Sequence, residues 1–261
     1  MDTIASSDGT FIAYRRSGTG PPMVLVHGTS SSSDRWAAVL PAFESHFTVY
    51  AMERRGRGES GDSPEYAIER EFEDVTALVD AVPEPVVLVG HSYGGICALE
   101  ATLLTGNVKK LVLYEPPIAL AGFEAHPPEV VDRLLDLREK DDREGILATF
   151  IQDVLQMPAP NVRKWRSSPN WHSRLDTAVT VPREIQSRLQ YRFAPDRFAN
   201  MRIPALMLMG DQSPAYLQEA ARTIHSALPA SKLVVLPDQG HVAMDTAPDL
   251  FARAILDFAR E

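Results

Sequence analysis

The sequence has a single cysteine in 261 residues, so no internal disulfide can form and nothing points to an oxidising compartment. That residue, Cys97, sits in an apolar stretch and reads as core packing rather than chemistry. No apolar run approaches the ~20 residues of a membrane span. The first ten residues, MDTIASSDGT, have neither a basic start nor an apolar centre, so no signal peptide is expected. Positive charge is in deficit: 26 Lys and Arg against 35 Asp and Glu give a formal net charge of −9. This argues against nucleic acid or an anionic membrane as a partner. No phosphate-binding glycine loop, flavin motif or metal-ligand cluster is visible, so neither cofactor nor metal is expected. The expectation is a soluble, cytoplasmic protein acting on a small molecule.

What the chain does have is a rhythm of short apolar runs. Residues 86–89 read VVLV, as expected of a strand buried on both faces of a parallel sheet. GHSYGG follows at 90–95, and an apolar helix pattern resumes at Ile96. A strand, a glycine-bracketed serine and a helix together make a nucleophile elbow, with Ser92 at its apex. So sharp a turn strains the serine backbone and presses strand against helix, which calls for glycine at 90 and 94.

Further buried-type strands are expected at 23–26, 47–52, 109–114, 204–209 and 232–236, with an edge strand at 11–14. Helices are expected at 66–82, between 214 and 228, and at 250–258. The run HGTS at 27–30 leaves a strand end, where a loop can offer a backbone N–H. The N–H groups of Thr29 and Tyr93 are thereby candidates for an oxyanion hole, and His27 reads as a structural histidine that fixes the loop. Arg54, Arg55 and Arg57 lie among glycines without phosphate-loop spacing and read as structural ion pairs.

From about 117 to 199 the strand rhythm stops. Helix-like segments at 129–139, 143–156 and 183–191 are separated by prolines and by a polar stretch at 161–176. This reads as a helical cap inserted into a core formed by residues 1–116 and 200–261. Its Trp165, Trp171, Tyr191, Met157 and Phe123 are the foremost candidates to line a pocket, with Phe150 and Phe193 beside them.

These elements together resemble the α/β-hydrolase fold: VLVHG at 24–28, GHSYGG at 90–95, the strand that ends in Gly210 and Asp211, and the Gly240–His241 pair after the last strand. The resemblance spans nearly the whole chain. It implies an α/β fold with a mostly parallel central sheet, helices on both faces and a helical cap. It also implies Ser92 as nucleophile and His241 as its base. For the acid two places stay open. The family's usual site is three residues past a glycine after the penultimate strand, and here that is Ser213, which cannot serve. Asp211 lies closer to that strand end. Glu115, directly after the strand at 109–114, matches the place used by some relatives such as certain haloalkane dehalogenases, and glutamate has the longer reach. Glu115 is favoured, with Asp211 as the alternative.

A serine at the elbow, where epoxide hydrolases and haloalkane dehalogenases carry aspartate, implies acyl transfer. A small, apolar ester or lactone is the leading substrate. A carbon–carbon bond hydrolase, a cofactor-free perhydrolase and a slow-turnover ligand receptor are the competing readings.

Overall fold

Apolar runs of four to eight residues cannot bury themselves singly, so they pair edge to edge and are covered on both faces. The computed structural model describes the chain apart from residues 124, 158–161, 164–165 and 168–170. It places eight strands in one sheet: β1 (Asp2–Ala5), β2 (Phe11–Gly18), β3 (Pro22–Val26), β4 (Thr48–Met52), β5 (Val86–His91), β6 (Val108–Tyr114), β7 (Ala205–Gly210) and β8 (Ser231–Leu236). Their order is β1-β2-β4-β3-β5-β6-β7-β8. β1, β2 and β4 pair antiparallel, and every pairing from β4 onward is parallel. β3, β5 and β7 are buried along their whole length, which is why they read as unbroken apolar runs.

The expected edge strand at 11–14 is the second strand rather than the edge. β1 covers it, with Ile4 opposite Ile12. β1 escaped notice because three of its four residues are exposed, so no apolar run marks it.

Helices cover both faces. α1 (Leu40–Glu44), α2 (Ile68–Ala81) and α3 (Tyr93–Ala101) follow the early strands. α2 turns Phe72, Val75, Leu78 and Val79 inward, a three- and four-residue spacing that makes one apolar stripe. Each such side chain contributes about 1.5–3 kcal/mol by leaving water, so a charged residue at Val75 would break this face. Among the described residues the chain then forms the helices α4 (Glu129–Glu139), α5 (Arg143–Thr149), α6 (Trp171–Thr177) and α7 (Val181–Gln190) in the cap region. α8 (Ala215–Ala227), α9 (Ala243–Thr246) and α10 (Pro248–Arg260) complete the core.

The cap region has its own apolar cluster, centred on Leu134, Ile146, Leu147, Ile151, Trp171, Val181 and Ile185. Among the described residues no strand occurs between 117 and 199. Two details depart from expectation. The helix at 143–156 is α5 followed by a π-helical turn at Phe150–Val154, which stops at Gln156 in the left-handed region. α6 begins inside the stretch read as polar, because Trp171 and Leu175 are its only apolar side chains and both pack on the cap's cluster. Among the described residues no helix is long and apolar enough to cross a membrane.

Candidate active site

Ser92 joins β5 to α3 with φ 54° and ψ −126°, a strained conformation for a residue with a side chain. Its surroundings explain the glycines. A Cβ on Gly90 would lie 2.7 Å from the carbonyl oxygen of Gly94, and one on Gly94 would meet the His27 carbonyl. A Cβ on Gly28 would come within 2.8 Å of the Ser92 Cβ. The turn therefore closes only with glycine at these positions, and it delivers Ser92, nearly buried, to the carboxyl edge of the sheet.

The ends of β6, β7 and β8 converge on the same edge. His241 Nδ1 donates to Glu115 Oε2 at 2.6 Å. The other carboxylate oxygen, Oε1, accepts from the backbone N–H of Gly210 at 2.7 Å and from the Ser213 hydroxyl at 2.6 Å. Glu115 is fully buried, and these three donors offset the cost of burying its charge. Its φ of 46° turns the side chain off the end of β6 toward β7 and β8. Gly210 is tied to the same closure, since a Cβ there would strike the Gln239 carbonyl.

Of the two open acid positions, the structure brings Glu115, and not Asp211, to His241. Asp211 is exposed, and its carboxylate accepts from Gln212 Nε2 at 3.2 Å. The reason is geometric. The backbone of Asp211 continues the β7–β8 pairing, its N–H donating to the Leu236 carbonyl at 3.3 Å, so its side chain is committed to the solvent side. Position 213 does reach the site, but as a hydroxyl that donates to the carboxylate.

The loop carrying His241 is pinned from below. His91 Nε2 donates to the His241 carbonyl at 2.9 Å, and the two rings lie 4.7 Å apart. Burial, and then neighbouring His241, hold the His91 imidazole well below its ordinary value. It is therefore neutral, with Nδ1 buried and unpartnered. The Tyr114 hydroxyl donates to the Gly240 carbonyl and accepts from the Ala243 N–H. With Nδ1 of His241 donating to Glu115, Nε2 is the ring nitrogen not engaged by that carboxylate. Ser92 and His241 line one cavity.

Thr29 lines that cavity as well. Tyr93 is the first residue of α3, so its N–H has no acceptor within the helix. His27 behind them is a fully buried structural residue. Its Nδ1 donates to the Gly28 carbonyl at 2.9 Å and its Nε2 accepts the Arg54 N–H at 3.3 Å. Glu53 Oε2 lies 3.9 Å from the same Nε2, but that nitrogen already accepts a hydrogen bond and the ring is neutral. Burial, and then Arg54, hold it so.

The cavity at Ser92 is small, about 20 Å³, close to the space of one or two waters. Phe150, Leu155 and Arg174 of the cap region close it over the core residues Thr29, Ser30, Ser31, Arg35 and Val242. Most of the expected pocket residues lie elsewhere. Trp171 packs in the cap's own core and donates from Nε1 to Glu144 at 3.0 Å. Tyr191 belongs to the main core and donates to Glu100 at 2.6 Å. Phe123 is exposed. Met157 lines a separate groove of about 720 Å³ that shares His241, Val242 and Leu155 with the cavity. Trp165 lies outside the described residues. Large aromatic rings are what the small cap needs to build a core. Phe150, also a candidate, does line the cavity, and the rest of the cap-side wall falls to Leu155 and Arg174, whose types carry no aromatic signal.

The arginine loop forms ion pairs, as its spacing suggests. Arg54 grips Glu71 through Nε and Nη2 at 2.7 and 2.6 Å, and reaches Glu184 of α7 at 2.8 Å. Arg57 also meets Glu184, and donates to Thr180 Oγ1 at 2.8 Å. Arg55 grips Asp74 at 2.6 and 2.7 Å. The Arg54 guanidinium stacks 4.6 Å over the ring of Tyr93. This buried cluster ties the cap helix α7 to the loop beneath the serine turn.

The model of a family described as "Alpha/beta hydrolase family" matches residues 23–254. The chain is similar to a pimeloyl-[acyl-carrier protein] methyl ester esterase of Vibrio vulnificus (strain YJ016), at 25% identity over 96% of this chain and 98% of that protein. Among solved structures it is similar to an alpha/beta hydrolase from Sphaerobacter thermophilus DSM 20745, with 34% identity, a TM-score of 0.88, and coverage of 99% and 100% of the two chains. An esterase from Rhodococcus sp. ECU1013 is similar at 25% identity and a TM-score of 0.81, over 100% of this chain and 98% of that one.

Proposed function

The chain belongs to the alpha/beta hydrolase family, and from that premise we propose that it is a serine hydrolase that cleaves a small ester or lactone through an acyl-enzyme on Ser92. A serine hydroxyl is a weak nucleophile near neutral pH, and it needs a base that later returns the proton to the leaving group. In this reading His241 Nε2 takes that proton, and Glu115 on Nδ1 fixes the ring and stabilises the imidazolium. The N–H groups of Thr29 and Tyr93 receive the negative charge that develops on the carbonyl oxygen. Water then attacks the acyl-enzyme with His241 acting in reverse.

The observation that carries the reading is the 2.6 Å bond from His241 Nδ1 to a fully buried Glu115, made beside the strained Ser92 turn on one cavity. The names of the Vibrio and Rhodococcus relatives favour an ester over the other bonds this chemistry can break. The test is steady-state and burst kinetics on short p-nitrophenyl esters, wild type beside Ser92→Ala. Multiple turnovers abolished by the substitution are expected. Equal rates in the two proteins would overturn the assignment of Ser92.

A further inference from the structure

Ser92 and His241 share the cavity of about 20 Å³, but His241 also lines a far larger space. That groove, of about 720 Å³, has His241, Val242 and Leu155 in common with the cavity, and neither Ser92 nor Thr29 is among the residues lining it. The two spaces therefore meet at the histidine, with Leu155 and Val242 beside it.

This division sorts the parts of an ester. In the tetrahedral intermediate the reacting carbon has four neighbours: Ser92 Oγ, the oxyanion, the alcohol oxygen and the acyl chain. The oxyanion belongs with the N–H groups of Thr29 and Tyr93. When the intermediate collapses, the bond from carbon to alcohol oxygen breaks, and His241 gives that oxygen the proton it took from Ser92. The alcohol oxygen must then lie at His241, where the groove begins. The acyl chain takes the direction that remains and stays in the small cavity, which Phe150, Leu155 and Arg174 close from the cap side. A space of about 20 Å³ takes an acetyl methyl but no longer chain.

The lining of the groove limits what the alcohol can be. Leu155, Met157, Pro214 and Val242 offer apolar contact. The side-chain amides are engaged within the protein. Gln156 Nε2 donates to the Ala125 carbonyl at 2.9 Å, and Gln212 Nε2 to Asp211 Oδ1 at 3.2 Å. The Gln239 amide oxygen accepts from the Thr246 hydroxyl at 2.6 Å. These groups need nothing from a ligand, so the groove demands no particular hydroxyl pattern. Apart from His241, the ionisable group lining it among the described residues is Asp238, which is exposed and held at φ 58°. An anionic alcohol part would meet that carboxylate with no lining cation to offset it.

We infer that the groove beside His241 is the leaving-group site, and that the substrates are esters of an acetyl-sized acid with an extended, uncharged alcohol. The inference rests on the Ser92 reading above and adds the substrate class. Length is tolerated on the alcohol side of the ester and refused on the acyl side.

The test reads kcat/KM, which reports acylation, the step that holds both halves of the ester. Pentyl acetate and methyl hexanoate are isomers that differ only in which side of the ester carries the chain. Wild type is expected to favour pentyl acetate over methyl hexanoate, and also over methyl acetate, by roughly 10- to 100-fold, the scale of a methylene or two in an apolar site. Met157→Trp fills the groove and should bring the ratio of pentyl to methyl acetate toward one. Gln212→Trp crowds the groove from an exposed position, so it decides even if Met157→Trp disturbs the fold. Because each ratio is taken within one protein, a loss common to both esters cancels. No preference for pentyl acetate in wild type, or a preference that survives in a folded groove variant, overturns the inference. Turnover of p-nitrophenyl acetate separates this from the reading beneath it. If that turnover is lost in Ser92→Ala, a failed ratio strikes the leaving-group site alone. If it does not depend on Ser92, the Ser92 reading fails and this inference with it.

Discussion

The Ser213 hydroxyl donates to the carboxylate of Glu115 at 2.6 Å, while that carboxylate's second oxygen receives His241 at the same distance. The serine therefore serves the ion that orients the histidine, from a loop that carries no charge into the site. Ser213→Ala leaves Glu115 with the Gly210 N–H and His241 as its remaining donors. A loss of about 1–3 kcal/mol in stability and of a few-fold in kcat is expected, read by thermal unfolding and by ester hydrolysis on the same sample.

Glu115→Gln and Asp211→Asn separate the two carboxylates by role. The first should lower kcat by orders of magnitude with the fold retained; a serine protease loses about 10⁴ by the equivalent change. The second should stay near wild-type activity, because Asp211 faces solvent. The reverse pattern in the same assay would sink the assignment of Glu115.

Acid should weaken the protein through His27 and His91. Folding lowers both imidazoles well below their ordinary value of about 6.5, chiefly by burial. The unfolded chain then binds more protons than the folded one at low pH. The stability they confer is fully present above about 6.5 and is lost as pH falls below it, at up to about 1.4 kcal/mol per pH unit for each ring. Urea midpoints between pH 7.5 and 5 should show this slope, and His91→Gln should reduce it. An unchanged slope in that variant would show that His91 takes no part.

Glu184 is fully buried between Arg54 and Arg57. Burial, and then Arg54, push the Arg57 guanidinium down to about 9 even with the carboxylates present. Glu184→Gln removes the shared counter-charge, at a cost of about 3–5 kcal/mol. For a chain of this size that is a fall in Tm on the order of 10 °C. Because Glu184 sits on α7, limited proteolysis should cut the cap region first, with the Arg55–Asp74 pair still holding the loop to α2.

Leu155 lines both the 20 Å³ cavity and the 720 Å³ groove beside His241. Leu155→Ala should join them. Esters with longer chains should gain roughly tenfold or more in kcat/KM relative to acetates, the scale of a few methylenes in an apolar pocket. A fall for every chain length alike would mean that Leu155 supports the wall without gating it.

The sequence carried much of this in plain sight, for identifiable reasons. Val86 to Val89 and the glycines around Ser92 announce their structure because a doubly buried strand and a sharp turn admit few residue types. Glu115 was harder, since any glutamate after a strand looks like a surface residue until the neighbouring strand ends are seen converging on it. β1 was invisible, as an exposed edge strand has no apolar run. The cavity wall is the least legible part: of the aromatic candidates Phe150 lines it, while Trp171 and Tyr191 pack in cores and the rest of the wall is aliphatic or polar. Arg174 is separated by 82 positions from Ser92, and nothing local to either residue tells that they share a wall.

Glu115 Oε1 and position 213 are one hydrogen bond apart, and this bears on how such a site changes over generations. A carboxylate at 213 would arrive beside the one already there, and two adjacent carboxylates can share a proton rather than expel each other. Through such a doubly acidic ancestor or descendant, the charge could pass between β6 and the loop after β7 in two substitutions. At each step a carboxylate stays at the edge of the sheet where β6 and the loop after β7 meet.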